Sequence, residues 1–352
     1  MTPSLLLYCR PGFEDDCSRE LATHLQDEGE WENGDGYVLF TPNDYAEAQR
    51  LLRELSVDQL IFARQMVFAV ARVKLGERDR LGPLLSALGE LPPNLQGPWS
   101  EVWLEHPDSD AGKQLSGFCK RFGSIVAKEL AEHLGPKQGR WRLHLFYPSM
   151  EEVFVCIADP ARSSPWPLGI ARVRMPTGAP SRSTLKLSEA FMVLVPDAEQ
   201  KLKAGMVGVD LGAAPGGWTF QLVSRGLKVF AIDNGPMKGD MAIHPYVKHL
   251  REDGFKYKPQ HPVDWLVCDM VEQPQRIAAL IARWFASGMT RHAVFNLKLP
   301  MKKRWQEIER CFDLIDNELD AAGIQYTLIA KQLYHDREEI TCYLGRPSGR
   351  QR

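Results

Sequence analysis

The stretch from Met206 to Gly235, MVGVDLGAAPGGWTFQLVSRGLKVFAIDNG, restricts this chain more than any other. An apolar run ends in a glycine cluster, a helix-like segment follows, and a second apolar run ends in Asp233. This order reads as a strand, a tight turn, a crossover helix and a second parallel strand. Met206 to Leu211 is the expected first strand. Gly212 permits the turn, and Gly216 and Gly217 let backbone approach a ligand with no Cβ in the way. Pro215 suits a helix start, where its missing N–H costs little. Gly226 marks the helix end. Asp233 comes about 20 residues after the loop, where doubly wound folds set a carboxylate against ribose hydroxyls. These parts make a seat for an adenosine-containing cofactor. Ala214 and Pro215 break the glycine spacing that a dinucleotide loop requires.

The same rhythm runs on from residue 184. Apolar segments MVGVDLG, KVFAIDN, VDWLVCDM, HAVFNLKL, IQYTLIAKQL and EITCYLG alternate with helical ones, including PQRIAALIARWFAS and QEIERCFDLIDNELDAAG. The fold class is therefore α/β, a Rossmann-like, mostly parallel, doubly wound sheet. Before it the order is different. Hairpin-like strands such as SLLLYCR, GYVLF, WRLHLFYP and EEVFVCIAD mix with helices, which gives an α+β front half. GKQLSGFCKRFGSIVAKELAEHLG reads as one amphipathic helix ended by Gly135. PARSSPWPLGIARVRMPTGAPSRS is rich in Pro, Ser, Gly and Arg and reads as a linker, within which LGIARVRM offers a strand.

No apolar stretch has the length of a membrane helix. The opening, MTPSLLLYCRPGF, has too short an apolar run for a signal segment and no basic residue before it. The seven cysteines are scattered without a C-x-x-C. The expectation is a cytoplasmic protein, monomeric, with no disulfide framework and no metal centre. The net charge of −2 hides an asymmetry. The first 170 residues carry 17 Lys and Arg against 25 Asp and Glu, and the rest carry 26 against 20. Lys113 to Arg142 is basic within the acidic half, which leaves room for a surface that meets phosphates. Such a run is more commonly just a solvated face.

DLGAAPGGWT resembles the D-L-G-x-x-P-G-G-[WF] loop of FtsJ-type S-adenosylmethionine-dependent methyltransferases, which act on ribose 2′-hydroxyls. Four further places match that family in chain order. SRSTLKLSEA puts Lys186 in the first turn of a helix with Ser183 as cap, where a lysine opposes the helix dipole. WLVCDM ends a strand in Asp269, FNLKLP ends the next in Lys298, and HDREEITCYL carries Glu338 and Glu339 into the last. Each alone is more often a surface charge. Together they resemble the family's Lys–Asp–Lys–Glu set, with either Glu338 or Glu339 as its last member.

The resemblance implies S-adenosyl-L-methionine held by Ser183, Gly212, Ala214, Pro215, Gly216 and Gly217. It gives Asp233 to the ribose, Asp253 to the adenine amino group and Asp269 to the sulfonium. It makes Lys298 the base for the acceptor hydroxyl, with burial and Lys186 expected to lower its pKa. Lys186 would steady the developing alkoxide. Amino-group methylation lacks its Asp-Pro-Pro-Tyr loop, because Met270 follows Asp269. Base-carbon methylation needs a cysteine nucleophile, and Cys268 lies inside a predicted strand.

The whole chain resembles a bacterial family that 2′-O-methylates a cytidine in 23S ribosomal RNA. That resemblance implies a ferredoxin-like part over 1–60, a THUMP RNA-binding module over 61–160, a linker over 161–183 and the methyltransferase domain over 184–352. It implies 23S ribosomal RNA as partner, met before the ribosome is fully assembled. It gives Lys113, Lys120, Arg121 and Lys128 to RNA phosphates. The alternatives are another structured RNA as substrate, a non-catalytic RNA-binding protein with this fold, and a nicotinamide oxidoreductase. The loop proline and two strand-end lysines weigh against the last.

Overall fold

The computed structural model describes residues 3–135 and 139–347, and it falls into two units that divide at Ile170 and Ala171. Lys137, part of the basic run, lies outside the described residues.

The first unit is built on one seven-stranded sheet. Its elements are β1 (Ser4–Tyr8), α1 (Glu14–Ala22), β2 (Gly29–Gly34), β3 (Tyr37–Pro42), α2 (Tyr45–Glu54), β4 (Gln65–Lys74), α3 (Leu81–Gly89), β5 (Trp99–Glu105), α4 (Asp110–Gln114), α5 (Ser116–Glu129), β6 (Trp141–Ser149) and β7 (Glu152–Ala158). The strand order is β2-β3-β1-β4-β7-β6-β5, antiparallel except for β5 beside β6. β4 is the seam, pairing β1 on one side and β7 on the other. The segments before and after residue 60 therefore share one sheet. A buried acid ties its end down. Glu105 accepts from Tyr8 Oη at 2.8 Å, from His144 Nδ1 at 2.6 Å and from the Leu168 backbone N–H. Gln65 accepts from the Ser164 N–H at 2.8 Å. Residues 163–170 of the expected linker are thus bonded into this unit.

Two expectations are corrected here, and one strand is new. The single helix ending at Gly135 is two helices, α4 and α5, and a 3-10 turn at Ala131–His133. Ser109 starts α4 by accepting from Gly112 N, and Leu115 stands between the two helices. LGIARVRM forms no strand, since Ile170 and Ala171 are both buried instead of alternating. β2 was not foreseen, because GEWENG is polar and only half-covered at the sheet edge.

The second unit contains α6 (Thr184–Val193), α7 (Ala198–Lys201), β8 (Val207–Leu211), α8 (Gly217–Val223), β9 (Lys228–Ile232), β10 (Val247–Leu250), β11 (Val263–Cys268), α9 (Pro274–Ala286), β12 (Thr290–Lys298), α10 (Arg304–Ala321), β13 (Thr327–Lys331) and β14 (Glu339–Gly345). Its strand order is β10-β9-β8-β11-β12-β14-β13. The first five are parallel, and β14 runs antiparallel to both neighbours. Short β10, the second unforeseen strand, extends the parallel edge.

α6 buries Leu187, Ala190, Phe191 and Leu194 at helical spacing. Phe191 meets Trp265 of β11 edge-on, ring centroids 5.6 Å apart. Burying each such side chain stabilises by about 1.5–3 kcal/mol, which anchors the helix carrying Lys186. α10 does the same with Ile308, Cys311, Ile315 and Leu319. The strand order reverses direction between β8 and β11. In open sheets of this kind the crevice outside that point is where ligands bind. No helix among the described residues is long and apolar enough to cross a membrane.

Candidate active site

Gly212 leaves β8 at the switch point with φ of +79°, and a Cβ there would lie 2.7 Å from Met270 Cγ. Only glycine lets the loops after β8 and β11 come this close. Gly216, at φ of +115°, is the N-cap of α8. Pro215 precedes that cap and does not occupy the first helical turn, which corrects the expected helix start. Gly217 abuts Ser181 and Ser183, where any Cβ would collide with the two hydroxyls. Ser183 is likewise corrected. It holds the N-cap position of α6, but its hydroxyl bonds Ser181 Oγ at 2.6 Å instead of a helix N–H.

These close approaches leave a cavity of about 300 Å³, walled by Ser181, Ser183, the 212–215 loop, Trp218 and Asp269. Trp218 is 3% exposed, and its Nε1–H has no acceptor among the described residues. A buried donor without a partner is a local cost to the fold. Asp233, at the end of β9, accepts from Ala214 N at 3.0 Å and Gly235 N at 2.7 Å, so it shapes the loop from outside these walls. Asp253 also lies outside the walls, half exposed and accepting from Phe255 N. Its neighbour Gly254 packs against Met270 and Leu211.

Beside the cavity, Lys186, Asp269, Lys298 and Glu339 meet in one ring of alternating charge. Lys298 Nζ donates to Asp269 Oδ1 at 2.9 Å and to Glu339 Oε2. Lys186 Nζ donates to Glu339 Oε1 and stands 3.9 Å from Asp269 Oδ2. All four side chains are less than a quarter exposed. Glu338 is not in the ring. It pairs with Arg304 at 2.8 Å and is about half exposed.

The electrostatics differ from expectation in one respect. Burial pushes the Lys298 pKa down, but the charge of Asp269 and the hydrogen bond and charge of Glu339 together outweigh it and hold the ammonium above its ordinary range. Two carboxylates touch Lys298, whereas Lys186 spends its charge on the same Glu339. Glu339 is the mirror case. Burial raises it, and the two lysines more than compensate and hold it below the ordinary glutamate range. Cys268 is fully buried, and burial pushes its thiol up to about 12, far from a reactive thiolate.

Sequence reasoning missed the groups behind this ring. Glu189, three residues after Lys186 on α6, accepts from the N–H groups of Tyr334 and His335 and pairs with His335 Nδ1 at 2.6 Å. It clamps the loop before β14 to the helix of Lys186. Asn296 and Thr341 sit two residues from Lys298 and Glu339 on the same strand faces. A polar residue inside an otherwise apolar strand was the available signal. The basic residues Lys113, Lys120, Arg121 and Lys128 lie on α4 and α5 of the first unit, all exposed, while Cys119, Phe122 and Val126 form the buried stripe of α5.

The unit that carries this doubly wound sheet, glycine loop and charged ring is of the methyltransferase class, since residues 179–322 match the family model of FtsJ-like methyltransferases. Residues 1–67 match that of the RlmM ferredoxin-like domain. The chain belongs to the ribosomal RNA large subunit methyltransferase M family. It is 49% identical to the member from Laribacter hongkongensis over the whole of both chains. It is 45% identical to that from Methylococcus capsulatus over 97% of each.

Proposed function

We propose that the protein transfers methyl from S-adenosylmethionine to the ribose 2′-hydroxyl of a cytidine in 23S ribosomal RNA, acting as a cytoplasmic monomer before the subunit is fully assembled. The observation that carries this reading is the ring of Lys186, Asp269, Lys298 and Glu339 beside the glycine-loop cavity. The relatives' names give the RNA class.

The cavity suits the cofactor by its donors. The 212–215 backbone and the hydroxyls of Ser181 and Ser183 fit an amino-acid carboxylate and adenosine polar atoms, the Trp218 ring offers an apolar wall, and the Asp269 carboxylate fits a cationic centre. Bound there, the cofactor supplies an electrophilic methyl group.

The chain's own residues handle the proton. A ribose hydroxyl must lose its proton as its oxygen attacks, and Lys298 Nζ is placed to take it. To accept, Lys298 must first be neutral, which its two carboxylate partners oppose. The same partners make it a stronger base once neutral. The active fraction is therefore small at neutral pH and grows with pH. Asp269 orients Lys298, and Lys186 offers a fixed ammonium to negative charge developing on the acceptor oxygen.

Mass spectrometry of 23S ribosomal RNA from a deletion strain tests the reading. A cytidine should lose its ribose methyl and regain it with the wild-type gene but not with Lys298→Ala. Unchanged ribose methylation in the deletion strain would overturn it.

A further inference from the structure

Behind Asp269 lies a buried chain of hydrogen bonds whose direction can be worked out from proton counting. Asn296 Nδ2 donates to Asp269 Oδ1 at 2.8 Å. Asp269 Oδ1 also receives Lys298 Nζ at 2.9 Å, so it is an acceptor and only the amide NH₂ of Asn296 can face it. The other end, Asn296 Oδ1, then faces Thr341 Oγ1 at 2.8 Å and requires a donor. Thr341 has one hydroxyl proton, yet both oxygens of Asp336 also lie 3.0 Å from its Oγ1. With that proton given to Asn296, the contact between Thr341 and Asp336 needs a second one. It can come only from the carboxyl. Asp336 Oδ2 accepts the Leu333 N–H at 2.9 Å, which leaves Oδ1 to carry the proton.

We propose that Asp336 is a neutral carboxylic acid that acts as a positioning residue, setting the orientation of Asp269 against Lys298 through Thr341 and Asn296. Every donor in the chain points the same way, from Asp336 to Thr341, to Asn296, to Asp269. The residues involved are shut off from solvent, with Asp336 at 1% exposure and Asn296 and Thr341 at 0%. The charges around Asp336 favour the neutral form on balance. Burial raises its pKa most and the charge of Glu339 raises it further; Lys186 on α6, the Leu333 N–H and Thr341 oppose, and the result stays well above the ordinary aspartate value. A carboxylate at this place would take the Thr341 proton for itself and strand Asn296 Oδ1. It would also add a third negative charge to a ring that holds two lysines and two carboxylates. Neutral Asp336 delivers a hydrogen bond without that charge.

The inference rests on reading the ring as a methyl-transfer site, so the test has an arm that needs no activity. Asp336→Asn keeps the shape, the lack of charge and a donor toward Thr341. Its single-turnover rate should stay within about threefold of wild type, as should that of Thr341→Ser, because the hydrogen bond survives. Asp336→Ala and Thr341→Val should each lose about tenfold, the worth of one buried hydrogen bond. Thr341→Val carries this arm if Asp336→Ala does not fold. Separately, the infrared difference between cofactor-free wild type and Asp336→Asn at neutral pH should show the carbonyl stretch of one protonated carboxyl in the wild type. If that band is present while the wild type methylates no RNA, the methyl-transfer reading falls and the protonation stands. A carboxylate band in its place, or Asp336→Asn as inactive as Thr341→Val, would overturn the inference.

Discussion

Lys298 and Glu339 are direct cross-strand partners in the antiparallel pairing of β12 with β14, and their side chains meet as an ion pair. The last residue of one strand faces the first of the other, at the end of the sheet where the cavity opens. This register, set by the buried residues of both strands, selects Glu339 over Glu338 as the acid beside Lys298.

Replacing Glu339 by Gln should therefore remove most methyl transfer, because Lys186 and Lys298 lose their shared negative charge and one of the two oxygens that accept from them. Glu338→Gln should cost little, since its pair with Arg304 is half exposed and such pairs contribute about 0–1 kcal/mol. Single-turnover rates of the two variants, measured side by side, check this. Equal losses would remove the distinction.

The pH–rate profile follows from the raised Lys298 pKa. The rate should climb about tenfold per pH unit over the neutral to alkaline range, with no plateau near neutrality, because the neutral amine is the minor form throughout. The apparent value belongs to the coupled ring, not to one residue. Lys298→Arg should not rescue Lys298→Ala, because guanidinium does not give up its proton. A plateau well below the ordinary lysine range would show that the two carboxylates do not govern the base.

Stability should respond to acid through Glu339. Its folded pKa is depressed, so its ion pairs contribute fully above the ordinary value of 4.5 and are lost as pH falls through the lowered one. Lys298, with a raised pKa, contributes below the ordinary lysine value and loses that contribution as pH rises through the raised one. Thermal melts of wild type and Glu339→Gln should converge as pH drops below 4.5 and separate above it.

Trp218→Phe isolates the unpartnered indole N–H. The variant should melt at or slightly above the wild-type temperature without cofactor, since it removes a buried donor that nothing satisfies. Its affinity for S-adenosylmethionine should stay within about threefold of wild type, because the N–H is sealed inside the protein and does not open into the cavity. Scanning calorimetry showing a clearly lower melting temperature would mean that the N–H is satisfied in the folded protein.

Reversing Lys120 and Arg121 to Glu tests the basic face of α5. RNA affinity should fall and its dependence on salt should become shallower by about 0.7–0.9 in log–log slope per lost phosphate contact. Cofactor affinity should not change. RNA binding equal to wild type across salt would assign these residues to solvent.

The glycine loop and the parallel sheet were legible because they depend on local chemistry: period, turn residues and strand-end acids. Lys186, Asp269 and Lys298 were legible as a set for the same reason, each lying at an element end. The choice between Glu338 and Glu339 was not, because it depends on the register of β14, a long-range property. The Lys298 pKa was misjudged because burial and the like-charged Lys186 were weighed without the charges of Asp269 and Glu339, which contact Lys298 and outweigh burial. Asn296, Thr341 and Asp336 were invisible as a group, since only the packing of two strands and a loop brings them together.

The antiparallel docking of β14 has a consequence for synthesis. A ribosome delivers Lys186, Asp269 and Lys298 before Glu339. Until β14 inserts between β12 and β13, Lys186 and Lys298 lack the acid that binds them both. A nascent chain thus carries the 212–217 loop before the charged ring can close, and a chain that stops short of β14 holds two lysines against the single carboxylate of Asp269.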